Sequence, residues 1–227
     1  MIDILFIGPH PDDVESACAG TILGLVEEGV RVGIADLTDG EPTPCGTPEK
    51  RAKECRNATK LLGIEYRTNL NMLNRYLMDD TANRKALAAV IREQKPSILV
   101  APYWVCEHPD HVQASLIADG ARFYGRLTKC DIPGAPHRIQ KTYYYPAYHL
   151  KLHIDPSFIV DISSHYKKKL QVLRQYRSQF IDKKDSSVFG TVEAVNRYFG
   201  YLIRKNYGEA FISREETGVG SLSRLLV

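Results

Sequence analysis

No hydrophobic run in the 227 residues approaches the ~18 needed for a helix to span a bilayer, so no membrane-spanning helix is expected. Met1-Ile-Asp-Ile-Leu-Phe-Ile7 has no basic leader and runs directly into Gly8-Pro-His-Pro-Asp-Asp13, so no signal peptide is expected. The five cysteines (Cys18, Cys45, Cys55, Cys106 and Cys130) are odd in number and scattered, and none forms a C-x-x-C pair. That argues against a disulfide framework and against a structural zinc knuckle. Charge of one sign is also missing. Thirty Lys plus Arg against 27 Asp plus Glu leaves +3, too little to imply a nucleic-acid or membrane partner. The longest basic run, Lys167 to Lys169, reads as a solvated helix start. There is no internal repeat, linker or low-complexity stretch. These absences place the chain as a cytoplasmic protein with reduced thiols.

What is present is ordinary for a globular domain: 44% hydrophobic and 25% charged residues, enough to build a core without staples. Ile4–Ile7 is a short, continuously apolar run closed by Gly8-Pro9, the pattern of a strand buried on both faces. A helix is expected from Asp13 to Glu28, with Gly29 behind it, then a strand over Val30–Leu37. Thr38 to Pro48 reads as a loop. Thr47 and Pro48 form a helix start, and Gly63 stops that helix after Leu62. Ile64–Leu70 reads as a strand, and Asp80 or Thr81 opens a helix that ends before Pro96. Ser97–Ala101 is a second buried-type strand, followed by a loop and a helix from Pro109 to Tyr124. Strands at Lys141–Tyr145 and Phe158–Ile162, and helices at Ser163–Tyr176 and Thr191–Lys205, complete the pattern. The expectation is one α/β domain over residues 1–227. It is a Rossmann-like, doubly wound, mostly parallel sheet with helices on both faces and some later antiparallel strands.

Two H-P-D motifs stand at equivalent places in this pattern. His10-Pro-Asp-Asp13 follows the first apolar strand, and His108-Pro-Asp-His111 follows the strand at Ser97–Ala101. Ligand sites of open α/β sheets form outside the carboxyl ends of the strands, so both motifs lie on the functional edge. Residues three apart on a first helical turn share a face, which aligns His10 with Asp13 and His108 with His111. Imidazoles and carboxylates are standard zinc ligands, and three protein ligands plus water is the usual catalytic set. Asp12, between two candidate ligands, points elsewhere, where a general base beside such a site would stand. One such motif alone reads equally as a capped helix start. Two of them, each behind a buried strand of one sheet, point to a shared metal site.

Gly8-Pro-His-Pro-Asp-Asp13, Leu37-Thr-Asp-Gly-Glu41, Gly46-Thr-x-x-x-Arg51-x-x-Glu54 and His108-Pro-Asp-His111 resemble the LmbE/PIG-L family of zinc-dependent N-acetylglucosamine de-N-acetylases. The likeness continues through Tyr143–Tyr145, Pro156–Ser163, Tyr176-Arg-Ser-Gln-Phe180 and Tyr207-Gly-Glu-Ala-Phe211, which look most like the bacillithiol-biosynthesis branch. The resemblance implies metal ligands at His10, Asp13 and His111, and a general base at Asp12. It also implies an acid or oxyanion-holding histidine at His108, with Asp110 beside it as an orienting carboxylate favouring protonated His108. Arg51 would bind substrate, an amino-sugar conjugate such as N-acetylglucosaminyl malate, from which acetate is released. Zn²⁺ is the implied cofactor, and the His₂Asp set would also hold Fe²⁺. A homo-oligomer is implied as well. The family's C-terminal oxyanion tyrosine has no counterpart in Phe189-Gly-Thr-Val-Glu193, which leaves Tyr198 and Tyr207 as nearby tyrosines.

The remaining residues have plainer readings. Arg51 on its own reads equally as a surface partner of Glu49 or Glu54. His137 is expected in a loop, His165 at a surface helix start, and His149 and His153 beside a lid. Asp39 and Glu41 read as turn chemistry or as groups reaching the site. Tyr103 and Trp104 are read as sugar-stacking or core-packing aromatics. The competing functions are a non-catalytic metal- or sugar-binding module, which has no need of Asp12, and another mononuclear metallohydrolase acting on a different amide or ester. A two-metal phosphoesterase would need more bridging carboxylates than this set provides.

Overall fold

The apolar run after Asp3 forms β1 (Ile4–Gly8), buried along its whole length. The computed structural model describes residues 1–148, 154–182 and 187–221. After β1 come α1 (Asp13–Glu27), β2 (Val32–Thr38), α2 (Pro48–Leu62), β3 (Tyr66–Met72) and α3 (Thr81–Gln94). Then follow β4 (Ile98–Pro102), α4 (Pro109–Gly125), β5 (Lys141–Tyr145) and β6 (Phe158–Asp161). The chain continues through α5 (Tyr166–Leu173), α6 (Arg177–Phe180), α7 (Val188–Leu202) and β7 (Gly208–Phe211). Local chemistry sets several of these bounds. Thr47 caps α2 by accepting from Lys50 N, with Pro48 behind it, and Gly63 closes the helix at φ 76°, a conformation glycine adopts without a steric penalty. Asp80 caps α3 by accepting from Asn83 N.

The main sheet runs β3-β2-β1-β4-β5, and every pairing in it is parallel. From β1 the chain winds outward to β2 and β3, then returns to the other side of β1 as β4. The strand order therefore reverses between β1 and β4, where open α/β sheets leave a crevice for ligands. Alternate side chains feed two apolar layers. Phe6, Ile34 and Val100 face Val14, Ile22 and Leu62 of α1 and α2. Leu5, Ile7 and Leu37 face Leu87, Ile91 and Ile117 of α3 and α4. Each such aliphatic or aromatic side chain contributes about 1.5–3 kcal/mol on burial.

The later strands divide. β5 joins the parallel sheet, while β6 and β7 form the expected antiparallel structure as a separate two-stranded sheet. An antiparallel bridge from Tyr144 to Ile212 ties that small sheet to the edge of the large one. β7 and the four-residue α6 are too short to show a period, so the residues alone do not announce them. α5 is shorter than the expected Ser163–Tyr176, and α7 begins three residues before Thr191.

The Lys167–Lys169 run is not simply a solvated helix start: Lys169 is fully buried, with Nζ 2.7 Å from Glu209 Oε1. Glu209, also fully buried, accepts from the N–H groups of Gly20 and Thr21 in the middle of α1, at 3.0 and 2.7 Å. Tyr148 donates its hydroxyl to Ala17 O at 3.1 Å and accepts from Asn196 Nδ2 at 2.7 Å. The tail segment Tyr207–Phe211 is thus a structural element. Its glutamate satisfies backbone donors of α1, the helix that carries Asp13, and its lysine partner offsets the buried charge.

Candidate metal centre and active site

Both H-P-D motifs emerge at the β1–β4 reversal. Asp13 opens α1, and Pro109 opens α4 with His108 as N-cap. The two turns bring His10, Asp13 and His111 together. Asp13 Oδ2 lies 3.0 Å from His10 Nδ1 and 3.3 Å from His111 Nε2, and it also accepts from His10 N at 3.0 Å. The three ligand atoms fall within 4.8 Å of one another. Two nitrogens and one carboxylate oxygen, converging in a largely buried place, form a set that fits Zn²⁺ or Fe²⁺. His10, His108 and Asp110 make a second convergent set that shares His10. There Asp110 Oδ2 already accepts from Arg75 N at 2.7 Å, and His108 Nδ1 accepts from Asp110 N at 3.2 Å.

The electrostatics follow from the convergence. Burial alone would push His10 down, but hydrogen bonds to Asp110 and Asp13 outweigh it and raise the imidazole to about 9. Burial likewise opposes the charge on His111, yet Asp13, with help from Cys106, lifts it to about 10. Burial would raise Asp13, but the His111 charge and the hydrogen bonds from both imidazoles hold it well below the usual carboxylate range. A carboxylate gripped by two imidazoliums is poised to exchange their protons for a divalent cation.

Around this set several residues take roles other than those the sequence implies. Asp110 does not orient His108 through its carboxylate. Its Oδ2 lies 3.2 Å from His10 Nε2, so the carboxylate orients His10 and leaves Nδ1 turned to Asp13. The reason is positional: as a first-turn residue of α4, Asp110 offers its N–H to the N-cap ring and its carboxylate across to the β1 turn. With Nδ1 accepting from that N–H, neutral His108 carries its proton on Nε2. Burial, together with the charges of His111 and His10, lowers His108 to about 4, so the expected protonated form is replaced by a neutral N–H donor. Cys106, in sequence only a scattered thiol, stands 3.4 Å from His111 Nδ1 and accepts from His108 N at 3.4 Å.

Asp12 sits at φ 122°, a left-handed conformation that costs a non-glycine residue about 1–3 kcal/mol. Its carboxylate meets Arg51, whose Nη2 lies 3.2 Å from Asp12 Oδ2. Burial raises Asp12 to about 7, with Arg51 opposing and the Asp13 charge adding to it. Arg51 is buried and pairs with Asp12; it is not a surface partner of Glu49 or Glu54. Glu54 instead accepts from Ser178 N and Oγ at 2.8 and 2.6 Å. A Cβ on Gly40 would stand 2.9 Å from Arg51 Nη2, so the glycine leaves room for the guanidinium.

These groups open onto a cavity of about 470 Å³, lined by His10, Asp12, Asp13, Arg51, His108 and His111 on its floor. Asn74, Arg75, Tyr148, Gln179 and the start of α7 form its walls. None of the other candidates among the described residues lines it. Tyr198 is exposed and Tyr207 stacks on Tyr166 with ring centroids 3.6 Å apart, so neither supplies the oxyanion tyrosine. Tyr103 and Trp104 pack against the α3–α4 layer, with Trp104 edge-on to Tyr144. Asp39 makes turn chemistry, accepting from Glu41 N at 3.0 Å. His137 is a loop residue bonded to Pro96 O, and His165 stands before α5, 3.3 Å from Glu27. His149 and His153 lie outside the described residues. All five cysteines are free thiols, and no helix among the described residues is long and apolar enough to cross a membrane.

The family model of GlcNAc-PI de-N-acetylase (PIG-L) matches residues 5–121, from β1 through most of α4. A solved structure of the conserved protein TT1542 from Thermus thermophilus superposes with a TM-score of 0.89 at 36% identity, covering 96% of this chain and 97% of that one. Diacetylchitobiose deacetylase of Thermococcus kodakarensis is 28% identical over 221 residues, 91% of this chain and 80% of its own length. Probable N-acetyl-alpha-D-glucosaminyl L-malate deacetylase 2 of Bacillus anthracis is 27% identical over 196 residues, 79% of this chain and 82% of its own.

Proposed function

Because the chain belongs to the PIG-L family, we propose that it is a metal-dependent hydrolase that removes the N-acetyl group from an N-acetylglucosamine conjugate. The observation that carries this reading is the convergence of His10, Asp13 and His111 beside Asp12 on the floor of one cavity. His10, Asp13 and His111 would hold the ion, Zn²⁺ by preference. When bound, it supplies Lewis acidity, which acidifies water and polarises an acyl oxygen.

The chain's own groups do the rest. Asp12, raised to about 7, is poised to take a proton at neutral pH. It accepts the proton of the attacking water as the water oxygen bonds to the acyl carbon. His108 donates its Nε2–H to the oxygen on which negative charge develops. The C–N bond then breaks, and Asp12 returns its proton to the departing amine, leaving acetate and a free amino sugar. Arg51 holds Asp12 in its strained turn and offers donors to the substrate.

The preferred substrate in this proposal is N-acetylglucosaminyl malate, the bacillithiol precursor. What supports it is Arg75, an exposed residue lining the cavity, whose guanidinium donates through Nη2 to Pro42 O at 2.6 Å and has further donors to offer a dicarboxylate. A diacetylchitobiose-type sugar is the second reading, favoured by the 28% identical Thermococcus kodakarensis relative. The test is acetate release by zinc-loaded protein from both compounds. Preference for the malate conjugate supports the first reading and preference for the disaccharide the second. No acetate from any N-acetylglucosamine conjugate refutes both.

A further inference from the structure

Gln179 sits in the four-residue α6, and nothing in the proposed chemistry uses it. It is only 5% exposed yet lines the cavity. Its amide is held by two hydroxyls: Nε2 is 3.0 Å from Thr43 Oγ1 and 2.8 Å from Ser178 Oγ. Each hydroxyl has one proton, and each is already committed to a carboxylate. Thr43 Oγ1 lies 3.0 Å from both oxygens of Glu41, and Ser178 Oγ lies 2.6 Å from Glu54 Oε2. A carboxylate can only accept, so both hydroxyls must accept from Gln179. That assigns the amide without ambiguity: both N–H bonds point at protein, and the carbonyl Oε1 takes the remaining direction. No described residue donates to Oε1, and it is not among the sealed, unpartnered polar atoms. Arg51 lines the same cavity, with Nη2 3.2 Å from Asp12 Oδ2.

From this geometry we infer that Gln179 is a specificity-determining residue whose fixed carbonyl accepts a hydrogen bond from a sugar hydroxyl of the substrate. A hydroxyl can donate, so it satisfies a carbonyl that cannot itself donate. An amide free to rotate would accept or donate; this one only accepts. It therefore discriminates against a ring position that lacks a proton to give. The inference deepens the deacetylase reading and rests on it.

The test is a cycle between protein and ligand. Acetate release is measured for methyl N-acetylglucosaminide and its 3-, 4- and 6-deoxy analogues, with wild-type protein and with Gln179→Met. One deoxy analogue should lose about 10- to 100-fold in kcat/KM on wild type. Gln179→Met should lose a similar factor on the parent and little further on that same analogue. Thr43→Val, which removes one anchor and leaves the carbonyl in place, should show the same coupling at a smaller size, so a misfolded Gln179→Met does not decide the matter. The corresponding free amino sugars, titrated by calorimetry, give the coupling without turnover. Coupling in binding with no acetate release supports the Gln179 assignment and refutes the deacetylase reading. Acetate release with equal losses on the parent and on every analogue overturns the Gln179 assignment alone.

Discussion

The two H-P-D motifs are nearly identical in sequence, follow neighbouring strands, and are put to opposite use. In the β1 motif the histidine meets Asp13 and the middle aspartate, Asp12, pairs with Arg51. In the β4 motif the leading histidine caps its helix, and the middle aspartate, Asp110, reaches across to hold the other motif's histidine. The difference begins in the backbone. Asp12 adopts φ 122° before a helix that starts at Asp13, whereas Asp110 lies inside a helix that already began at Pro109. In the proposed centre, this offset in the helix start exchanges the roles of ligand, base and orienting group. Equivalent motifs therefore specify equivalent places and not equivalent roles.

Removing a ligand from either motif should break the comparison most severely. His111→Ala is expected to abolish stoichiometric zinc and acetate release together; a variant with full metal content refutes the ligand assignment. Next in size is Asp12→Asn, which should keep zinc and lose about 10²–10⁴-fold in kcat. Wild-type turnover by this variant would remove Asp12 as the base. Its counterpart, Asp110→Asn, is predicted to act on metal and not on proton transfer, with zinc affinity weakened about 10- to 100-fold in a chelator competition. Unchanged affinity together with a large kcat loss would make Asp110 the orienting partner of His108 after all. A pH dependence tests the same arrangement without mutation. His10 and His111, raised to about 9 and about 10, must each release a proton as a cation enters, while Asp13 stays ionised. Zinc affinity should therefore climb as pH rises from about 6 to 9, and a flat profile over that range contradicts the shared-carboxylate arrangement.

Much of this was legible in the residues because it is local. Apolar runs at Ile4–Ile7 and Ser97–Ala101, Thr47 with Pro48, and Asp80 mark their elements within a few residues, and the H-P-D spacing brings His10, Asp13 and His111 to one edge. What was not legible crosses the chain. Glu209 lies 189 residues from Gly20, and Asp110 lies 100 from His10. No periodicity records such pairings. The burial of Lys169 inside a basic run follows from its glutamate partner and not from its neighbours. Arg51 reads equally as a surface residue in sequence because Glu49 and Glu54 lie near it, yet Glu54 is consumed by Ser178. Cys106 carried no signal, since a thiol beside a histidine is visible only once the loop is folded.

The central claim is that one metal centre is built from both motifs with unequal histidines. Zinc content and acetate release, measured side by side on His10→Ala and His108→Ala, test it most directly. The account predicts that His10→Ala loses the metal, while His108→Ala retains one equivalent and loses about 10²–10³-fold in kcat. If both variants lose zinc, or both keep it, the division of labour between the motifs is wrong.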